Sequence, residues 1–141
     1  MAEHTPPRYS QVAVGDELPP LVMPPISRLA LALYCGASGD HNPLHVDPDF
    51  ARAAGLGDVV AHGMLVMAYL GRTLTNWVAQ DAVREFNTRF QAMTRVGDAI
   101  TCTARLTEKL ADTHTVKVTV EARDQHGELK AAGEALIALA P

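Results

Sequence analysis

Apolar and polar side chains alternate along much of the C-terminal half of this chain. An alternation with a period of two is typical of β-strands that bury one face and expose the other. Short segments containing Gly or Asp separate the alternating stretches, and these residues favour turns. We therefore predict a series of strands. The alternating stretches are residues 86–92, 100–106 and 116–122, a fourth strand follows the last turn, and the turns are predicted at 96–98, near 111–112 and at 125–127.

The first half of the chain instead carries apolar residues at helical spacing. Ser27 is a predicted N-cap, and the helix that follows it continues to about Gly36. A short helix begins at Pro48, since proline is favoured at the first helical position, and ends at the glycines within residues 55–57. A longer helix over residues 63–77 is apolar on nearly every side, which predicts that it is buried.

These elements together predict the fold class. Residues 1–8 are predicted to be a frayed tail, and the proline pairs 19–20 and 24–25 bracket extended segments that we place along a sheet edge. One buried helix followed by four strands indicates an α+β fold in which an antiparallel sheet wraps around that helix. The length suits a single domain over residues 1–141 and is too short for two. Because such a sheet leaves an open edge and a rim of exposed core, we expect dimerisation through paired sheets.

Composition and charge exclude several classes of function. The chain has 12 Lys and Arg residues against 16 Asp and Glu residues, and its net charge of −4 does not favour binding to nucleic acid. Cys35 and Cys102 lie far apart without metal-ligand spacing, so we expect free buried thiols in a reducing compartment. The N-terminus lacks the apolar region of a signal peptide, and no apolar stretch is long enough to cross a membrane. We predict a cytoplasmic protein that binds neither nucleic acid nor membrane.

The stretch from Ser38 to Asp47 concentrates groups that can perform acid–base chemistry. Gly39 and the Asn42-Pro43 pair favour a tight turn rather than a continuous helix. Such a turn can bring Asp40 and His45 to one cleft, where together they could hold a water molecule and exchange its protons. This pattern indicates the addition or removal of water.

A second candidate group is the backbone at the start of the long helix, in the run Ala-His-Gly-Met of residues 61–64. The N–H groups of Gly63 and Met64 lack acceptors within the helix and lie at the positive end of its dipole. Donors of this kind stabilise the negative charge that develops on an enolate oxygen.

The two motifs resemble those of the MaoC-like hydratase/dehydratase family, which includes (R)-specific enoyl-CoA hydratases and (3R)-hydroxyacyl-ACP dehydratase subunits. The signature G-D-x-N-P-[aliphatic]-H-x-D corresponds to Gly39 through Asp47, and A-H-G-M corresponds to residues 61–64. The similarity continues more weakly through residues 86–90 and 96–98, so it covers most of the chain. It departs at Gly71, where well-studied bacterial hydratases carry Ser.

The resemblance implies a hot-dog fold and a hydro-lyase that interconverts trans-2-enoyl thioesters and (R)-3-hydroxyacyl thioesters of CoA or an acyl-carrier protein. It assigns catalytic roles to Asp40 and His45, and the oxyanion role to the Gly63 amide. A homodimer is expected, with a heterodimer of two hot-dog chains as the other arrangement. The predicted substrate-binding residues are Asn42, His62 and Met64.

Several alternatives stay open on the sequence alone. The competing function is a non-catalytic or partner acyl-binding subunit of a heteromeric dehydratase, although such chains usually lose the carboxylate or the imidazole that is present here. His62 can instead lock the loop before the helix, and Asp47 is interpreted as a helix cap. Asp40, His45 and Asp47 make a poor metal site without a further His or Cys, and no nucleotide-binding motif is present. We therefore expect neither metal nor cofactor.

Overall fold

The computed structural model describes residues 5–141, which form three α-helices and one five-stranded sheet joined by short 3₁₀ turns. Ser27 caps the first helix, because its Oγ accepts a hydrogen bond from Ala30 N at 3.1 Å. Asp47 caps the second helix by accepting from the N–H groups of Asp49 and Phe50 at 3.0 and 3.1 Å. The predicted starts of these two helices are thus confirmed. The elements are β1 (Leu21–Val22), α1 (Arg28–Ser38), α2 (Pro48–Ala53), α3 (Gly63–Thr75), β2 (Val83–Phe90), β3 (Thr101–Leu110), β4 (Thr115–Arg123) and β5 (Leu129–Ala138).

The five strands form one antiparallel sheet in the order β1-β3-β4-β5-β2. The consecutive strands β3, β4 and β5 pair along most of their length, for example with Val118 of β4 opposite Ala135 of β5. Alternate residues of β4 are buried, from Val116 to Ala122, so the alternation in the sequence marks the face that packs on the core. The proline-flanked segment β1 lies at one edge, as predicted, and β2 lies at the other.

Helix α3 packs on the sheet and contacts all five of its strands. Leu65, Val66, Leu70 and Leu74 are buried in the core. The opposite side of the helix is open in the single chain, where 53% of Met64 is exposed. The prediction that this helix is buried on nearly every side is therefore wrong, because a single sheet covers only one side of a helix. The exposed side also includes Ala68, Arg72 and Thr75.

Strands β2 and β5 approach each other closely at Gly133. A Cβ atom at this position would lie 1.9 Å from the backbone oxygen of Asn87 on β2. Any side chain would therefore force the two strands apart. Glycine permits the pairing that carries β2 to its end at Phe90, whose ring contacts Gly63 at the start of α3.

Lys109 of β3 ties the N-terminal segment to the sheet. Its Nζ donates to the carbonyl oxygens of Tyr9 and Val12 at 2.8 and 2.6 Å. Arg8 also forms a parallel bridge with Ala140. Ordered pairing thus begins within the stretch predicted as a frayed tail, of which residues 1–4 lie outside the described part of the chain.

The interior of the protein holds both cysteines as free thiols, as predicted. Burial raises the pKa of the Cys102 thiol to about 11, so this group stays protonated and unreactive at neutral pH. Among the helices within residues 5–141, none has both the length and the apolar character needed to cross a bilayer.

Candidate active site

The end of α1 sets the direction of the loop that follows it. Gly39 ends this helix in the left-handed conformation, with φ at 77°, which glycine adopts without strain. Ser38 Oγ donates to the Tyr34 carbonyl at 2.7 Å and accepts from Asp40 N at 3.1 Å. The chain therefore leaves the helix abruptly, and Asp40 begins a new turn.

A 3₁₀ turn over Pro43–His45 then brings the chain back towards the side chain of Asp40. Asp40 Oδ1 accepts a hydrogen bond from Asn42 N at 3.2 Å, and Asn42 Oδ1 accepts one from Leu44 N at 3.1 Å. Pro43 occupies the first position of the turn, where its fixed φ suits the geometry. As a result, His45 Nε2 lies 3.9 Å from Asp40 Oδ2. The structure thus brings the two predicted catalytic side chains together.

A backbone carbonyl fixes the ring of His45. Its Nδ1 lies 2.6 Å from Val60 O, and because a carbonyl oxygen can only accept, Nδ1 carries the hydrogen. In the neutral ring the lone pair is then on Nε2, the nitrogen that faces Asp40. The His45 side chain is 12% exposed and that of Asp40 is 49% exposed, so water reaches the pair from the carboxylate side. The ring is oriented to accept a proton at Nε2.

The His62 ring supports His45 from behind. The two imidazoles stack with centroids 3.7 Å apart and planes inclined by 23°. Tyr34 contacts His62 edge-on at a centroid distance of 4.7 Å. His62 Nε2 lies 3.2 Å from the Asp40 carbonyl oxygen and 3.5 Å from Cys35 Sγ. Only 1% of His62 is exposed, so burial does not support its predicted contact with substrate, and its neighbours match the alternative role of locking the loop.

The environment of His62 favours the neutral imidazole. Burial lowers the pKa of His62 below its ordinary value, the hydrogen bond with the Asp40 carbonyl opposes this, and the neighbouring His45 lowers the pKa further. The net effect is a lowered pKa. Within the described part of the chain, His62 Nδ1 is buried and has no hydrogen-bond partner. Because His62 is neutral, no second positive charge lies against the His45 ring when His45 takes up a proton.

The Gly63 amide lies at the N-terminus of α3, directly after His62. Its N–H occupies the first helical position, where no acceptor exists within the helix. The Phe90 ring packs on Gly63, with one ring carbon 3.1 Å from the place that a Cβ atom would take. A cavity of about 410 Å³ adjoins this glycine. Its lining is mostly apolar and includes Val60, Ala61, Val66, Phe90 and Met93, but Gln91, Thr94 and Lys130 also contribute to it.

Asp40, His45 and His62 form a group whose potential metal-ligand atoms all lie within 4.8 Å of one another in the described structure. The two rings stack with their planes inclined by only 23°, so their in-plane lone pairs lie in two nearly parallel planes. A zinc ion needs ring nitrogens that converge on it at about 2.0–2.1 Å, which this stacking does not provide. Asp47, the third ligand considered from the sequence, caps α2 instead. The arrangement suits a hydrogen-bonded water, and the absence of a metal stays a prediction.

The structure places the remaining site residues in different surroundings. Asn42 uses one lone pair of its Oδ1 within the turn and is exposed, so its contact with a substrate stays a prediction. Met64 is 53% exposed next to Gly63, where it can meet a ligand. Val60 is not identified from the sequence, because its role depends on its backbone carbonyl, and every amino acid has one. Tyr34 precedes the motif by one helical turn, and this spacing is the signal that could have drawn attention to it.

Comparison with known sequences agrees with this geometry. The family described as the MaoC like domain matches residues 11–127. The (R)-specific enoyl-CoA hydratase of Rhodospirillum rubrum is 32% identical over 84 residues, which cover 58% of this chain and 58% of that protein. The 3-hydroxyacyl-thioester dehydratase X of Mycobacterium tuberculosis is 38% identical over 74 residues, which cover 51% of this chain and 25% of that protein. The matched segments thus span less than two thirds of either relative.

Solved structures share the fold. The R-hydratase PhaJ1 from Pseudomonas aeruginosa, in its unliganded form, aligns with a TM-score of 0.84 at 25% identity, covering 94% of this chain and 85% of that chain. The (R)-hydratase from A. caviae involved in PHA biosynthesis aligns with a TM-score of 0.82 at 26% identity, covering 91% of this chain and 97% of that chain. These alignments confirm the hot-dog fold, an antiparallel sheet wrapped around a central helix. With its family match extending over residues 11–127, the chain belongs to the MaoC-like hydratase/dehydratase family.

Proposed function

We propose that this chain is a hydro-lyase that interconverts trans-2-enoyl thioesters and (R)-3-hydroxyacyl thioesters. The observation that carries the proposal is the separation of 3.9 Å between His45 Nε2 and Asp40 Oδ2, together with the amide at the start of α3, which has no acceptor within its own helix. This arrangement supplies a proton acceptor, a second group for the same water and a donor to a carbonyl oxygen. Family membership and the names of the R. rubrum and P. aeruginosa relatives support this substrate class.

In the hydration direction, one water molecule is held by Asp40 and His45. Its oxygen forms a bond to C3 as the double bond between C2 and C3 opens, and one of its protons passes to the Asp40–His45 pair. The pair delivers a proton to C2, which completes the addition, and dehydration reverses these steps. The Val60 carbonyl keeps the lone pair on His45 Nε2, so the ring needs no change of tautomer before it reacts.

Negative charge develops on the thioester oxygen when water adds to C3, and the Gly63 N–H donates to that oxygen. The positive end of the α3 dipole adds to this stabilisation. The mostly apolar cavity of about 410 Å³ beside Gly63 can remove an acyl chain from water. We place the acyl part of the substrate in this cavity.

The test is a screen of crotonyl-, octenoyl- and longer trans-2-enoyl-CoA thioesters with the purified chain. Loss of the conjugated double bond measures hydration, and chiral analysis of the 3-hydroxyacyl product measures stereochemistry. We expect the (R) product from the native chain and from His126→Ala, which changes an exposed histidine in the turn before β5. Failure to hydrate either CoA or carrier-protein thioesters would contradict the proposal, and an (S) product would contradict its stereochemistry.

We further propose that two copies assemble along the free edge of β2. This strand has eight residues and pairs on one side only, with β5, which leaves an open row of backbone groups. Near its end, Phe90 is 53% exposed and Met93 is 46% exposed, and a second copy would cover these apolar side chains. Light scattering should show a dimer at micromolar concentration. A stable, active monomer would contradict this assembly.

The alternative function predicts no turnover without a second, different chain. A partner acyl-binding subunit would be inactive alone and would gain activity only in a heterodimer with another hot-dog chain. The retention of Asp40 and His45 in hydrogen-bonding surroundings supports the enzyme instead. The single-domain organisation of residues 1–141, the cytoplasmic location and the absence of a cofactor stay predictions.

A further inference from the structure

Lys130 of β5 is a buried cation that lies outside the Asp40–His45 pair. Its side chain is 4% exposed, and its Nζ lies 3.4 Å from the carboxylates of both Asp98 and Asp124 and 2.5 Å from that of Glu128. Burial acts to lower the pKa of Lys130, but these three carboxylates raise it above its ordinary value, so the ammonium stays charged. A buried charge is tolerated only when it is paired, and this pairing connects the segments that carry the carboxylates.

The same ammonium also binds the backbone of residues 91–98, here named the 91–98 loop. Lys130 Nζ donates to Met93 O at 3.0 Å, and the Lys130 carbonyl accepts from Gln91 N at 2.8 Å. Asp98, the last residue of the loop, is held by its ion pair with the same Nζ. Lys130 therefore ties both ends of the 91–98 loop to β5, the start through its backbone carbonyl and the rest through its ammonium. Only the contacts of the ammonium, with Met93 and Asp98, are lost in Lys130→Met.

The 91–98 loop in turn pairs with the segment just before α3. Thr94 O accepts a hydrogen bond from Ala61 N at 2.9 Å, and Arg95 forms an antiparallel bridge with Val60. Thr94 is 4% exposed, so water does not compete readily for this contact. The loop thus helps to hold residues 60 and 61 in place, and Val60 N also donates to Leu44 O at 3.1 Å.

One backbone group of the candidate site belongs to this segment, and the other lies at the first residue of α3. Val60 supplies the carbonyl 2.6 Å from His45 Nδ1, and Gly63 follows Ala61 by two residues. A displacement of about 1 Å at a reacting group can lower a rate by about 10²-fold. The rate therefore depends on where the Val60 carbonyl and the Gly63 amide lie, as well as on which side chains form the site.

We propose that Lys130 is a positioning residue for the site. Through the 91–98 loop it holds the Val60 carbonyl that fixes the His45 tautomer, and it sets the position of the Gly63 amide. The expected effect on turnover rests on the proposed function, whereas the expected effect on the His45 ring does not.

The first experiment measures the His45 ring directly, without substrate. Proteins labelled with ¹⁵N-histidine are examined by NMR at about pH 8.5, where ordinary imidazoles are neutral, and the His45 signals are assigned by their loss in His45→Gln. In the native protein we expect the tautomer protonated at Nδ1, and in Lys130→Met we expect the tautomer protonated at Nε2 to appear beside it. The matched control is Lys117→Met on β4, whose Nζ pairs with Glu108 at 2.8 Å at an exposed position, and it should leave the His45 signals unchanged.

The second experiment measures hydration of an enoyl-CoA that the native chain turns over. Lys130→Met should lower kcat by about 10-fold or more, because the groups displaced act on the reacting atoms. KM should change less, although Lys130 also lines the cavity in which we place the acyl chain. Lys117→Met should retain the native kcat and KM. This split distinguishes positioning of the site from a general loss of folded protein, which circular dichroism and gel filtration measure separately.

The outcomes separate the two proposals. A folded Lys130→Met protein with unchanged His45 signals overturns the positioning role, whatever its activity. If Lys130→Met does not fold, Asp98→Asn decides, because it replaces the ion pair between the loop and Lys130 Nζ by an uncharged contact and keeps an oxygen that can accept from Arg95 N, while Lys130 stays paired with Asp124 and Glu128. A second His45 tautomer supports the role, and unchanged signals overturn it. If the native chain hydrates no enoyl thioester, the proposed function fails, and a tautomer change in Lys130→Met still supports the role of Lys130.

Discussion

The motif loop of residues 38–45 and the sheet strands β3 to β5 hold their side chains in place by different means. In the loop, polar side chains bond to backbone groups a few residues away, and Asp40 stays 49% exposed. In the strands, alternate residues are buried and each strand pairs along most of its length. A single such hydrogen bond stabilises the fold by about 0.5–1.5 kcal/mol, whereas burial of a large apolar side chain contributes about 1.5–3 kcal/mol. Changes in the loop should therefore lower activity more than stability, and changes in the sheet should do the reverse.

The largest effect is expected at the catalytic pair. Asp40→Asn and His45→Ala should each lower kcat by at least about 10², the contribution of a lost acid or base. Asp40→Asn retains an oxygen that can accept from Asn42 N, so its melting temperature should stay within a few degrees of the native value. The double variant should lose much less than the product of the two single losses, because the residues act as a unit. Near-native hydration by either single variant would refute the assignment.

The next effect tests the backbone donor at Gly63. Gly63→Pro removes the N–H and should lower kcat by about 10²–10³. The change suits the local backbone, since proline is favoured at the first helical position and His62 before it is already extended, with ψ at 131°. Gly63→Ala is the matched control, because it keeps the N–H and adds a Cβ atom 3.1 Å from Phe90. If Gly63→Pro folds and hydrates at the full rate, the thioester oxygen is held elsewhere and residues 61–64 leave the proposed site.

A pair of glycines tests the sheet side of the comparison. Gly133→Ala would place Cβ 1.9 Å from the Asn87 backbone oxygen, and we expect it to lower the free energy of unfolding by about 1–3 kcal/mol. Gly71→Ala in α3 would place Cβ 3.5 Å from a Phe86 ring carbon, an ordinary contact, and should raise stability by up to about 1 kcal/mol. Chemical denaturation measures both. Equal stability of the two variants would show that β2 can move away from β5 at little cost.

The smallest effect concerns the pH dependence of stability, and it comes from His62, a residue of the site that is nonetheless buried. Folding lowers the pKa of His62, chiefly by burial, while the unfolded imidazole titrates near about 6.5. Between these two values the unfolded state binds more protons, so stability rises with pH. The stability that comes from His62 being neutral is fully present above about pH 6.5. It is lost as the pH falls through the pKa of His62 in the folded state.

Melting temperatures measured from about pH 7.5 down to about pH 5 should therefore decline, and His62→Gln should reduce the decline. His126→Gln changes an exposed histidine and should keep the native profile. If His62→Gln melts with the same pH dependence as the native chain, another group controls the acid side of the profile. His62 would then resemble the other residues of the site, which affect activity more than stability.

Local patterns in the sequence predict the elements of this fold and where they begin. Ser27 and Asp47 cap α1 and α2 because their side chains bond to backbone groups only a few residues away. The alternation along β4 predicts the strand because each residue faces either the core or the solvent. The motif likewise brings Asp40 to His45 through contacts that stay within six residues of sequence. Interactions of this range can be read from neighbouring residues.

The interactions that span the chain are harder to read. Contact between Lys130 and Met93 joins residues 37 positions apart and uses a backbone oxygen, so no spacing rule marks it. The stacking of His62 on His45 depends on how the chain returns after α2. The open side of α3 follows from the number of layers in the domain, which an apolar pattern alone does not specify. Prediction from sequence therefore finds the proposed reacting side chains more readily than the groups that orient them.

The anchor of His45 is a main-chain carbonyl, and every amino acid has one. Position 60 can therefore exchange its side chain for another that fits its buried surroundings and still accept the hydrogen bond from Nδ1. A scan of alanine substitutions would record only lost packing at Val60 and overlook its acceptor. Side-chain substitutions at position 60 therefore leave unchanged the contact that orients His45. An ester in place of the amide after Val60 would weaken this carbonyl as an acceptor, and it would also remove the Ala61 N–H that donates to Thr94 O.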